Sequence, residues 1–228
     1  MIPQYQTTGY ILTDVATRNR VMRNTYWLLA LSMVPTVIGA WLGVVTGAHV
    51  LFTGWLGLIL FMGGAFGFMY AIEKTKNSSA GVAVLLGFTF FMGLMLSAML
   101  ARILGFKNGP SLIMTAFGGT AGVFFVMASL ATVIKRDLSG MSKWLMVGAL
   151  VLMVGSIINV FVGSSVGMLV ISTLAIGIFS AFLLYDMKQV IDGGETNYIS
   201  ATLAIYLDLF NIFQSLLSIL GIMGGERD

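Results

Sequence analysis

Long apolar runs alternate with short polar stretches along almost the whole 228-residue chain. A helix needs about 20 apolar residues to cross roughly 30 Å of hydrocarbon. Seven runs reach that length, at about 25–46, 51–72, 80–101, 111–134, 144–162, 166–187 and 199–222. They are apolar all round, which predicts buried or membrane-spanning helices rather than the one-faced helices of a soluble surface. The expectation is an all-α polytopic membrane protein with a polar N-terminal tail over 1–24, a seven-helix domain over 25–222 and a short C-terminal tail over 223–228. The first 24 residues are polar and a full-length span follows them, so no cleavable signal peptide is read there.

Composition decides between membrane and water. Hydrophobic residues make up 58% of the chain and charged ones 9%, against a usual charged share of about 25% in soluble domains. Too little polar sequence remains to clothe a soluble globule. The net charge of +3 comes from basic residues scattered between the apolar runs, a pattern of topology signals and not of a nucleic-acid-binding face. With the N-terminus in the cytoplasm, Arg18, Arg20, Arg23, Lys74, Lys76, Lys135, Arg136, Lys143 and Lys188 gather on that side and Arg102, Lys107 and Arg227 on the other. The positive-inside rule therefore predicts N-terminus in and, with an odd number of spans, C-terminus out. Four-residue glycine spacing at Gly39, Gly43 and Gly47, at Gly63 and Gly67, and at Gly118 and Gly122 predicts close helix packing, since small residues let backbones approach in lipid. Pro35 falls inside the first span and should kink it. Pro110 falls at the start of the fourth, where its missing N–H costs nothing.

Catalytic patterns are sparse. GSSVG, 163–167, has the spacing of a serine-hydrolase nucleophile turn, but it lies between two spans and the single histidine, His49, falls in a different turn. The chemistry needs the whole triad on a strand-to-helix turn. NSS, 77–79, falls on the expected cytoplasmic side, where a glycosylation acceptor has no use. There is no cysteine, phosphate loop or dinucleotide fingerprint. The chain is read as a non-enzyme with no resident cofactor.

The acidic residues carry more. In ATLAIYLDLFNIFQ, 201–214, Asp208 falls inside the last span, roughly 14 Å from its cytoplasmic end at 1.5 Å per residue. An ionised aspartate at that depth costs at least about 2.5–3.5 kcal/mol, so it must face protein or water. Asp208, Asn211, Ser215 and Ser218 fall at i, i+3, i+7 and i+10 and form one polar stripe on the helix. Asp186 is expected to end the adjacent sixth span. Two carboxyl groups in one low-dielectric site do not both ionise easily. Such a pair holds one proton between them and makes a proton-sensitive gate.

Two stretches carry a family resemblance. AFLLYDMKQVIDGGETNYISATLAIYLDLFNIFQSLLSILG, 181–221, resembles the C-terminal helices of the Bax inhibitor-1, or transmembrane Bax inhibitor motif, family, and KRDLSGM, 135–141, is similar to its signature loop. The resemblance implies six helices around a central seventh. RVMRNTYWLL, 20–29, and GGETNYISAT, 193–202, look like the bacterial branch that modulates FtsH, the ATP-dependent zinc protease of the inner membrane. That implies a bacterial inner-membrane protein which binds the FtsH complex and restrains its degradation of membrane proteins, its N-terminal tail serving as a handle. A second branch is known for a pH-sensitive calcium leak sensed by two aspartates, whose positions match Asp186 and Asp208. That branch implies H+ and transient Ca2+ as the ions the pair would meet. Its arginine latch has no counterpart in AIEKTKN, 71–77, where Lys74 and Lys76 are the available cations and offer a point charge rather than a bidentate fork.

Overall fold

The computed structural model describes the backbone of residues 4–225 and side chains from residue 15 to 225. Every regular element among them is helical: α1 (Gln4–Val45), a short 3-10 helix (Ala48–Phe52), α2 (Gly54–Thr75), α3 (Ala80–Leu104), α4 (Gly109–Val133), α5 (Met141–Val162), α6 (Ser165–Asp192) and α7 (Tyr198–Gly224). Seven are long and apolar enough to cross a membrane. All seven expected spans are present, but their ends differ. The helix of α6 continues to Asp192, past the apolar run. That of α1 begins well before residue 25 and includes Val21, buried in the core. Residues 15–24 are therefore helical and partly packed, not a loose tail. Residues 1–3 and 226–228, with Glu226, Arg227 and Asp228 of the expected C-terminal tail, and the side chain of Asp14 lie outside the described residues.

Local chemistry explains the helix ends. Glycines in the left-handed region close α5 at Gly163 (φ 66°) and α6 at Gly193 (φ 82°), a conformation that costs glycine no Cβ clash. Pro110 occupies the first turn of α4 as expected, and α1 runs on through Pro35.

Packing sorts the glycines into two classes. A Cβ on Gly39 would collide with the carbonyl of Phe90, one on Gly43 with Ser97, and one on Gly93 with the carbonyl of Thr36. The backbones of α1 and α3 thus approach as closely as small residues allow. Gly63 and Gly67 on α2 and Gly118 and Gly122 on α4 have nothing within 4 Å of a built Cβ. The packing expected from their spacing does not occur among the described residues. Gly47 lies beyond α1 altogether, in a turn at φ 74°.

Helix α7 packs against α1, α2, α3, α4 and α6, while α5 packs on α6. The main core joins Leu85, Phe88 and Met92 of α3 to Leu183 and Met187 of α6 and to Ile199, Ile205, Tyr206 and Ile212 of α7. The Thr36 hydroxyl donates to the Ser32 carbonyl at 2.8 Å, so the Tyr206 hydroxyl, 2.9 Å away, donates to it and ties α7 to α1. A smaller cluster of Ile103, Leu112, Ala116 and Leu217 closes the other end of α7. Large apolar side chains such as Trp144, Phe125 and Val151 point outward, as hydrocarbon solvent requires.

Candidate functional site: a carboxyl pair between α6 and α7

The turn from 193 to 197 sets the geometry. The N–H groups of Gly194 and Glu195 donate to the Gln189 carbonyl at 2.8 and 3.2 Å, closing α6. The Asn197 carboxamide oxygen accepts from Ile199 N–H at 2.9 Å and Ser200 N–H at 3.1 Å, starting α7. Its amide nitrogen donates to the Lys76 carbonyl at 3.0 Å and to Asn77 Oδ1 at 2.9 Å, fastening this turn to the one between α2 and α3. One side chain thus caps a helix and joins two turns.

Because α6 runs on to Asp192, Asp186 lies within the helix and not at its end. It is roughly 9 Å back from that end, and Asp208 is roughly 15 Å into α7, at 1.5 Å per residue. The two carboxyl groups meet side chain to side chain. Asp208 is 4% exposed, and its Oδ2 is buried with no hydrogen-bond partner. Asp186 is half-buried and also feels the charge of Glu195. A cavity of about 240 Å3 lined by Tyr185, Asp186, Gln189, Gly194, Glu195 and Ser200 opens on Asp186 from the turn side. Asp208 is not among the residues lining it.

An unpartnered carboxyl oxygen beside a second carboxyl group lacks a donor. A proton shared between the two supplies one, and leaving such a group bare costs about 1–3 kcal/mol. The polar stripe continues inward: Ser215 and Ser218 are buried and Asn211 is half-buried, its amide donating to the Leu207 carbonyl at 2.8 Å. Gln214, off the stripe, is exposed.

The candidate latch residues point elsewhere. Lys76 pairs with Glu73 at 2.6 Å and Lys74 lies 5.5 Å over the Tyr70 ring. Neither forms an ion pair with Asp186 or Asp208 among the described residues. Sequence reading counted Lys188 only as a topology signal, yet it is 8% exposed and its ammonium contacts Asp192 at 2.7 Å. The i,i+4 spacing of that pair was the available clue. Lys188 also acts on Asp137 of the α4–α5 loop. The Ser139 backbone N–H and hydroxyl, each 2.8 Å away, hold the Asp137 carboxyl below the usual carboxylate range, with Lys188 helping.

As a cation site the pair is small. Among the described residues, no group of three or more His, Asp or Glu side chains is placed to hold a metal. Calcium takes six to eight oxygen ligands, so two carboxyl groups fall short of a stored-calcium site.

Comparison with known proteins places the chain in a family of membrane proteins. A family model described as inhibitor of apoptosis-promoting Bax1 matches residues 18–225. A membrane protein of Vibrio cholerae is 36% identical over 224 residues, covering 98% of each chain. The modulator of FtsH protease YccA of Escherichia coli is 38% identical over 209 residues, covering 92% of this chain and 93% of that one. A Neisseria meningitidis protein is 35% identical over 212 residues, covering 92% and 93%.

Proposed function

The chain belongs to the Bax1-I family, and from that premise we propose that it is an inner-membrane regulator that binds an FtsH-type protease and restrains its action on membrane proteins. The observation that carries this reading is the 38% identity to the Escherichia coli modulator across nearly the full length of both chains. The orientation that suits it has the N-terminus and the turn bearing Asn197 on the cytoplasmic side. Arg18 reaches Gly193 in that turn, consistent with the basic residues before and between the spans sharing one end.

Co-isolation from native membranes in mild detergent tests the reading. The full chain is expected to bring the protease down with it, and Asp208→Asn is expected to bind equally well. Removing residues 1–14 is expected to weaken recovery. The cut stops there because Val21 and Thr25 are core residues. Absence of the protease, with an established partner recovered in parallel, would refute the modulator reading.

A second reading has its own support in the Asp208 oxygen left without a partner beside Asp186. In this reading the pair senses protons and controls slow passage of a cation such as Ca2+ through the bundle. It requires flux that depends on Asp208, whereas protease binding does not, so the two readings separate experimentally.

A further inference from the structure

A cavity of about 330 Å3 lies at the bundle end opposite the carboxyl pair, where the 3-10 helix Ala48–Phe52 meets α3. His49, Val50, Thr53, Ala98, Ala101 and Arg102 line it. Among the described residues its charge is one-signed: Glu73, Asp137, Asp186, Asp192 and Glu195 all belong to the other end, and Asp208 is enclosed within the bundle. Arg102 is exposed, and among the described residues it has no carboxylate, hydrogen-bond acceptor or ring as partner. The His49 ring nitrogen Nδ1 lies 3.2 Å from the Gly43 carbonyl. A carbonyl only accepts, so Nδ1 carries the proton and Nε2 is left as an acceptor, suited to a ligand hydroxyl.

The surroundings say what kind of anion fits. Val50 is 65% exposed, Leu51 54% and Trp55 60%. A cavity at a helix-bundle end with a guanidinium and an exposed Val50 in its lining, and with the exposed Leu51 and Trp55 next along the chain, matches an amphiphile at the membrane–water boundary. A free inorganic anion would use the guanidinium and leave this apolar border uncovered.

We propose that this cavity binds the phosphate-bearing headgroup of an anionic membrane phospholipid, with Arg102 at the phosphate, His49 accepting from a headgroup hydroxyl, and Val50, Leu51 and Trp55 along the acyl chains. The site is separate from the carboxyl pair and independent of the protease reading.

Native mass spectrometry of the full chain released from micelles tests it, with dioleoyl phosphatidylglycerol and phosphatidylcholine offered in equal amounts. The expected result is preferential retention of phosphatidylglycerol that falls about five-fold in Arg102→Gln, the factor that corresponds to about 1 kcal/mol for one basic residue near a lipid surface. Lys143→Gln, an exposed basic residue at the other end, is expected to leave retention unchanged. Equal retention of the two lipids by the unaltered chain would overturn the proposal. So would an unaltered preference in Arg102→Gln, or an equal loss in Lys143→Gln. If millimolar inorganic phosphate displaces the lipid from the unaltered chain and not from Arg102→Gln, the site belongs to a free anion and the lipid assignment fails.

Discussion

Asp208→Asn keeps the size and shape of the side chain and removes its capacity for charge. In the native pair, loss of the last proton leaves two carboxylates in side-chain contact. At about 4 Å and an effective dielectric near 20, their repulsion is about 4 kcal/mol, roughly a thousandfold disadvantage for the doubly charged state. If a third of that goes into separating α6 from α7, the open population changes by about tenfold. The asparagine form never carries two charges there, and its amide supplies the donor that the bare oxygen lacks, a contact to a charged group of about 1.5–3 kcal/mol. The assay is calcium entry into proteoliposomes loaded with a fluorescent indicator, from pH 6 to 8. The expected outcome is about a tenfold rise with pH in the unaltered protein and none in Asp208→Asn. An unaltered pH response in Asp208→Asn would refute the proton-switch reasoning, and a flat response in both would remove the leak reading.

Two further predictions concern the frame that holds the pair. Asn197→Ala removes the α7 cap and the ties to Lys76 and Asn77. It is expected to cost about 1–3 kcal/mol, seen as a lower thermal midpoint in detergent; an unmoved midpoint would show that the turn is held by something else. Gly93→Leu drives a side chain into the Thr36 carbonyl on α1 and is expected to destabilise by at least about 1–3 kcal/mol. Gly118→Leu, on an open face of α4, should stay within about 0.5 kcal/mol. Equal effects of the two leucines would contradict the sorting of the glycines.

What the sequence reveals depends on whether a property is local. Span number follows from apolar length alone, so all seven helices were legible. Helix ends were not, because polar residues such as Lys188, Gln189 and Asp192 continue α6 beyond the apolar run, and apolarity stops marking a helix where it leaves hydrocarbon. The stripe on α7 was legible from the 3.6-residue period, and Ser215 and Ser218 are buried as that period requires. Glycine spacing failed as a guide to packing: the same four-residue pattern is buried at Gly39 and Gly43 and open at Gly63, Gly67, Gly118 and Gly122. Spacing says that a helix can be approached closely, not that another helix of the same chain does so. The partners of Lys74 and Lys76 were local and so legible in spacing, since Tyr70 and Glu73 lie four and three residues before them.

The bundle is asymmetric along α7, and this bears on which reading a perturbation reports. At one end the cavity reaches Asp186, and the polar stripe carries polarity inward as far as Ser218. At the other end Leu217 is fully buried against Ile103, Leu112 and Ala116, and the Asn108 amide donates to the Gly224 carbonyl at 2.6 Å across the same end. An ion that reached the stripe would still meet an apolar layer of Leu217, Ile103, Leu112 and Ala116, side chains that cannot replace its hydration. Passage therefore requires that layer to part, a larger change than proton loss between two carboxyl groups, and the coupling must run through α7, which contacts both. Binding a protease on the lipid-facing side asks for no such opening. The open glycine faces on α2 and α4 are compatible with a bundle that stays closed. A proton switch at the pair is thus the more demanding of the two roles. Its mark is a change at Leu217 and Ile103 that follows the protonation of residues more than two helical turns away.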